Sequence, residues 1–216
     1  MVGKFHDQIE ILKEDVLKMG NLSTEMLSKS VESLKKQDTE IADWVYSQKD
    51  NLADMDEKLE EKAFQLIALY QPMAKDMRTI ACCLKIITYL ARIGRYGKDI
   101  SKISKEISDK PHVSKLISIP HMNELVCKMV NDALTAFKTE DLSFISDFSE
   151  RDDDIDSLRY SIFRESITYM MEDPKKIERC AQYIMIARYL ERCADHACKM
   201  AEKIYYMVNG ERIEIK

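Results

Sequence analysis

Apolar residues recur at intervals of three and four from the first turns of the chain: Ile9, Leu12, Val16, Met19, then Met26 or Leu27, Val31 and Leu34. That spacing puts them on one face of a helix and predicts a first helix reaching about Lys36. A second begins at Asp38, whose short carboxylate suits an N-cap, and runs to about Tyr70. Gln71-Pro72 interrupts the pattern, because proline cannot continue a helix interior, and a third helix follows to about Ser108. Residues 109–122, with Pro111 and Pro120 around a short apolar piece at Val113 to Ile119, read as a connection. Beyond it the rhythm resumes over 123–137, 141–171 and 174–208, where Asn209-Gly210 supplies a helix-ending cap. Several of these helices exceed the roughly 12 residues of an average globular helix, which predicts an elongated bundle.

The halves match in order. Gln37-Asp38 aligns with Glu140-Asp141, Leu52 with Ile155, Leu59 with Ile162, and Tyr89-Leu90-Ala91-Arg92 with Tyr189-Leu190-Glu191-Arg192. Between its second and third helices the second copy is three residues shorter. The expected fold is all-α: two tandem three-helix bundles, six long helices in a pseudo-twofold repeat. The first copy spans 1–108, the connection 109–122 and the second copy 123–216.

Composition agrees with this picture. Five Gly and four Pro in 216 residues leave little room for a turn-rich β architecture. The net charge is −5 with Lys and Arg interspersed among the acids, so no basic block points to nucleic acid. Six cysteines (82, 83, 127, 180, 193 and 198) form no Cys-x-x-Cys and fall mostly on apolar positions, as reduced core thiols do. The most apolar run, Ile80 to Ile93, is broken by Lys85 and Arg92 and is too short to span a bilayer. No signal-like apolar core opens the chain, so a soluble cytoplasmic protein with no membrane insertion is expected.

The last long helix carries the most informative irregularity. Its apolar stripe runs Ile177, Cys180, Ile184, Ala187, then Glu191, Ala194, Cys198, Ala201, with Asp195 one turn beyond Glu191. In the preceding helix Ile145, Phe148, Ile155 and Ile162 are interrupted by Asp152, and Asp156 comes one turn later. Carboxylates converging between two helices repel unless neutralised. A transition or divalent metal ion (Fe, Zn, Mn or Mg) would satisfy them, since oxygen-rich sites suit such ions. Equally ordinary is pairing with Arg188 or Arg192, or solvation at the stripe edge.

Other chemistries fit less well. A ferritin-like di-iron site needs Glu-x-x-His pairs, and none of His6, His112, His121 or His196 has a Glu three residues before it. A zinc site from Cys193, His196 and Cys198 would need side chains on different helix faces to converge. No Gly-rich phosphate loop or nucleophile motif is present. Arg78 and Lys85 could meet an anion or be plain surface residues.

The segment Leu190-Glu191-Arg192-Cys193-Ala194-Asp195-His196-Ala197, continued by Met200-Ala201-Glu202, resembles the third-helix signature of the PhoU family of phosphate-uptake regulators. Leu90-Ala91-Arg92-Ile93-Gly94-Arg95 is its first copy. Tyr70-Gln71-Pro72 with Asp76-Met77-Arg78, and Thr168 through Asp173, extend the resemblance over nearly the whole chain. It implies two three-helix repeats, a cytoplasmic homodimer, and repression of phosphate uptake without enzymatic turnover. The implied partners are the ATPase subunit of the phosphate ABC transporter and a sensor histidine kinase. It also implies a metal site, carried over here to Asp152, Asp156, Glu191 and Asp195.

The first copy departs from that pattern, with Lys49, Ala53, Ala91 and Arg95 at the four matching positions. Lys49 and Arg95 could act there as fixed positive charges beside Asp50, Asp54 or Asp56, or a shifted motif could use Asp50 and Asp54. One metal site, in the second copy, is therefore expected. The competing readings are a metal-independent helical adaptor and a metal-dependent phosphohydrolase built on Asp152 and Glu191, which would need an open coordination position.

Overall fold

The computed structural model describes residues 2–215, and among them there is no strand. Seven α-helices occur in order: α1 (Val2–Lys36), α2 (Thr39–Ser47), α3 (Lys49–Tyr70), α4 (Ala74–Glu106), α5 (Ser118–Thr139), α6 (Phe148–Glu172) and α7 (Ile177–Asn209). Short 3-10 turns at Leu142–Ile145 and Pro174–Lys176 precede α6 and α7. Helices α2 and α3 form one broken arm, so six long rods carry the fold, three in each copy.

The junctions repeat as the residues do. Gln37 and Glu140 both adopt left-handed backbone (φ 54° and 59°) and end the first helix of their copy. The aspartate after each then caps the next helical turn: Asp38 accepts from the amides of Glu40 and Ile41 at 2.9 and 3.1 Å, and Asp141 from Ser143 at 2.9 Å. Gly210, at φ 76°, ends α7 as the Asn-Gly pair predicts.

Several boundaries differ from the periodicity reading. The arm expected as one helix from Asp38 to Tyr70 breaks at Gln48, where neither proline nor glycine marks it. Ser47 Oγ donates to the Trp44 carbonyl at 2.7 Å, while the Gln48 amide turns to Val45 at 3.2 Å, tightening the last turn of α2. Helix α5 begins at Ser118 rather than near Asn123, because Pro120 falls in its first turn, where a missing amide costs nothing. Ile177 opens α7 with 48% of its surface exposed, so the buried stripe of that helix starts one turn later, at Cys180.

The third helices α4 and α7 pack on each other, α1 packs along α4, and α5 packs on both α7 and α1. Arms α2/α3 and α6 flank this centre on α4 and α7 respectively. One continuous hydrophobic core results, running from Leu12, Val16 and Met26 through Ile86, Leu90 and Ile93 to Val126, Ile155, Leu190 and Ile204. The connection is tied into it by His112, whose Nε2 lies 2.9 Å from the Leu34 carbonyl and whose Nδ1 lies 2.8 Å from the Tyr183 hydroxyl. That arrangement assigns Nε2–H as the donor to the carbonyl and Nδ1 as the acceptor of the phenol.

All six cysteines are free thiols, and every one but Cys127 is buried. Burial pushes the Cys83 and Cys127 thiols up to about 12, so they pack as small apolar groups. Among the described residues no helix is long and apolar enough to cross a membrane.

Backbone meets backbone closely at Gly97, where an added Cβ would lie 3.0 Å from the Leu27 amide nitrogen on α1. Because the obstacle is backbone, it cannot rotate aside. Gly97→Leu is expected to lower stability by about 1–3 kcal/mol through overpacking, read as a reduced urea midpoint. An unchanged midpoint would mean that α1 and α4 do not approach so closely.

Candidate functional site

Helices α6 and α7 lie against one another in the second copy. On α6, Phe148, Ile155 and Ile162 are buried, and Asp152 and Asp156 sit half-buried beside them. On α7, Ala187, Ala194, Cys198 and Ala201 are buried, and Glu191 and Asp195 interrupt that run, again half-buried. The four sequence-predicted carboxylates therefore lie along one α6–α7 seam.

Arginines take up most of their charge. Glu191 accepts from Arg188 Nη1 at 2.8 and 2.6 Å, and Arg159 Nε of α6 lies 3.4 Å from its Oε1. Arg192 Nη1 reaches Asp195 at 3.3 Å, and Arg159 lies 3.9 Å from Asp156. Among the described residues no cation pairs with Asp152. Burial, then the charges of Asp195 and Asp156, push its carboxyl up to about 6, opposed in part by a hydrogen bond from the Cys198 thiol.

The all-carboxylate donor set suits a hard or borderline divalent ion, and the mutual repulsion of Asp152, Asp156 and Asp195 is what such an ion would relieve. In the arrangement described, however, Glu191 faces arginine. Among the described residues no three His, Cys, Asp or Glu side chains are gathered as they would be around a metal. Pairing with Arg188 and Arg192 was legible as an alternative in the sequence. The role of Arg159 was not, because it reaches Glu191 from the other helix.

The cysteine–histidine zinc arrangement does not form. Cys193 neighbours Cys127, while Cys198 neighbours Asp152. His196 instead stacks between Tyr89 and Tyr96, with ring centroids 5.6 and 6.0 Å away. Burial, then Arg92 and Arg192, lower it to about 4, so it is neutral at physiological pH. Arg78 is structural: its Nε lies 3.4 Å from the Met207 carbonyl, joining the start of α4 to the end of α7.

In the first copy Lys49, Ala53, Ala91 and Arg95 are brought together, lining a single cavity of about 210 Å³ between α3 and α4. Asp50 lines it too, 4.0 Å from Lys49, but Asp54 is exposed and pairs with Lys58 at 3.4 Å. The shifted Asp50/Asp54 motif is therefore not assembled.

The family model for the PhoU domain matches residues 16–104 and again 119–204. A phosphate-specific transport system accessory protein PhoU homolog of Clostridium acetobutylicum is 32% identical over 212 residues, covering 98% of this chain and 97% of the relative. The homolog of Aquifex aeolicus is 35% identical over 211 residues, covering 98% and 96%. Among solved structures, PhoU from Pseudomonas aeruginosa superimposes with a TM-score of 0.91 at 30% identity, covering 96% of this chain and all of that one. The phosphate transport system regulatory protein PhoU from Streptococcus pneumoniae does so with 0.89 at 25% identity, covering 97% and 99%.

The raised Asp152 carboxyl gives a pH test. Its folded value of about 6 lies above the unfolded 3.8, so the penalty is absent below pH 4 and fully present above pH 7. Asp152→Asn is expected to stabilise the metal-free protein at pH 8 by about 1–2 kcal/mol, less than the full shift because water still reaches the carboxylate. The gain should fade near pH 4. Equal urea midpoints for wild type and variant at pH 8 would show that Asp152 is not under this repulsion.

Proposed function

The chain belongs to the PhoU family, and from that premise we propose that it regulates phosphate uptake negatively, by contact with the transporter's ATPase and without turnover. The observation that carries this reading is similarity over 97% or more of both chains to a relative named as an accessory protein of phosphate-specific transport. Nothing needs to be added to or removed from the fold for the role to transfer, although a shared fold alone would not suffice. Contact with that ATPase would place the protein in the cytoplasm, and a sensor histidine kinase is a second partner consistent with the family.

An exposed apolar line supports action by protein contact. Tyr160, Phe163, Ile167 and Met171 recur at helical spacing along α6, exposed by 53, 43, 37 and 81%. A helix face of this kind suits a protein partner, either the ATPase or a second copy of the chain in a homodimer.

We further propose that a divalent or transition metal binds at Asp152, Asp156, Asp195 and Glu191, with Glu191 exchanging its arginine partners for the ion. The ion would supply the positive charge that Asp152 lacks and would fasten α6 to α7. Its role in this reading is structural.

Two experiments test these proposals. Metal analysis of the purified wild type should show a transition or divalent metal that Glu191→Ala/Asp195→Ala loses; equal content in both would remove the metal site. Co-expression with the ATPase subunit should give a complex that Phe163→Asp/Ile167→Asp weakens at least about tenfold, as expected for loss of central apolar anchors. Absence of a complex in the wild type would overturn the contact mechanism. A phosphatase activity that the acidic double variant abolishes would favour the enzymatic reading instead.

A further inference from the structure

The two copies place charges of opposite sign in equivalent clefts. Under the alignment of Leu52 with Ile155 and Ala91 with Glu191, Lys49 stands where the second copy has Asp152, and Arg95 where it has Asp195. The reversal extends to the balancing charge: Asp56 stands where the second copy has Arg159. Lys98 takes the place of Cys198, adding a third cation. Ala53 and Ala91 replace Asp156 and Glu191, and the volume those carboxylates would fill is part of the cavity of about 210 Å³.

Two of the three cations, Lys49 and Arg95, have no close acidic partner among the described residues. Lys49 lies over the Tyr46 ring, 5.1 Å from its centroid, and its one acidic partner among the described residues is Asp50, at the outer limit of 4.0 Å with the Asp50 side chain 86% exposed. Lys98 pairs with its neighbour Asp99 at 3.0 Å. Among the described residues Arg95 has no acidic partner within salt-bridge distance, unlike Glu191 and Asp195 in the other copy. Asp56 is the one half-buried acid in the lining, and burial, then Glu60, push its carboxyl above the usual aspartate value. The apolar floor of Met26, Leu52 and the bare Gly94 backbone reduces screening on one side.

We propose that the cleft between α3 and α4 binds a small polyvalent oxyanion of the phosphate class, held by Arg95, Lys49 and Lys98. The guanidinium offers a planar fork that matches two oxygens of a tetrahedral anion, and the two ammonium groups act as point charges around it. The cavity accommodates such an ion with bridging water, while a nucleoside carrying the same group would have to leave most of its base and sugar outside. The free ion is therefore the occupant. The site requires no contact with a transporter, so it can fail or stand independently of the regulatory role.

The test uses the full-length protein, treated with chelator, and labelled inorganic phosphate in equilibrium dialysis at low ionic strength. Saturable binding is expected with Kd between roughly 10 μM and 1 mM. Arg95→Ala should weaken it at least about tenfold, Arg95→Lys by less, and Lys49→Ala severalfold. Asp195→Ala, in the opposite cleft, should leave it unchanged. All three positions are exposed or half-buried, and thermal melting of each variant confirms folding. No saturable binding by about 10 mM phosphate would overturn the proposal. So would binding indifferent to Arg95→Ala, or adenosine monophosphate binding more tightly than phosphate. Manganese binding that Asp56→Asn abolishes would assign the cleft to cations and also overturn it.

Discussion

The packing of α4 on α7 is the contact on which the rest of the molecule depends. Each is the third helix of its copy, and each must bury one face against its own copy and another against the other. Both helices are accordingly buried over a wide arc, with Ile86, Leu90, Ile93 and Ile100 on α4 and Ile186, Leu190, Cys193 and Ala197 on α7. The seam between them also takes rings, Tyr96 on Tyr189 at 5.4 Å and His196 between Tyr89 and Tyr96. Held neutral by burial, His196 adds surface to the seam without adding charge.

That central contact fixes where variation is tolerated. The first helices α1 and α5 close over the α4–α7 pair, and α1 approaches α4 so closely at Gly97 that a Cβ there would press on the α1 backbone at 3.0 Å. The arms α2/α3 and α6 each lie against one central helix and against the first helix of their own copy. Each arm therefore meets its central helix in a cleft whose rim is open to water. Core positions in the two copies stay apolar because both must pack; rim positions are bound by no such requirement. The opposite charges of the two clefts are a consequence of this freedom: a rim position can change sign without disturbing the helices that display it.

Most of the candidate site was legible because helical spacing carries facing information. Asp152 and Glu191 stood out as charges on apolar stripes, and both lie on the seam that the stripes predicted. What spacing cannot supply is the neighbour across the seam. Arg159 sits on α6 beside its own Asp156, yet its nearer partner is Glu191 of α7, at 3.4 Å against 3.9 Å. The same limit hid the cavity of the first copy. Lys49, Ala53, Ala91 and Arg95 could be matched one by one to the acidic positions, but the space they enclose exists only once α3 and α4 are brought together.

Local chemistry in the chain by itself determined the helical fold, the internal repeat and the places where helices end. Asp38, Asp141 and Asn209-Gly210 act through atoms within a few residues, and a three-and-four rhythm needs no partner to be read. The break at Gln48, where the amide turns to the Val45 carbonyl at 3.2 Å, has no proline or glycine to mark it, so composition does not locate it. Likewise, the merging of two three-helix units into one core and the arginine pairing of Glu191 were settled by tertiary packing. Each of these depends on surfaces and charges far apart in sequence, and only the folded arrangement brings them within reach of one another.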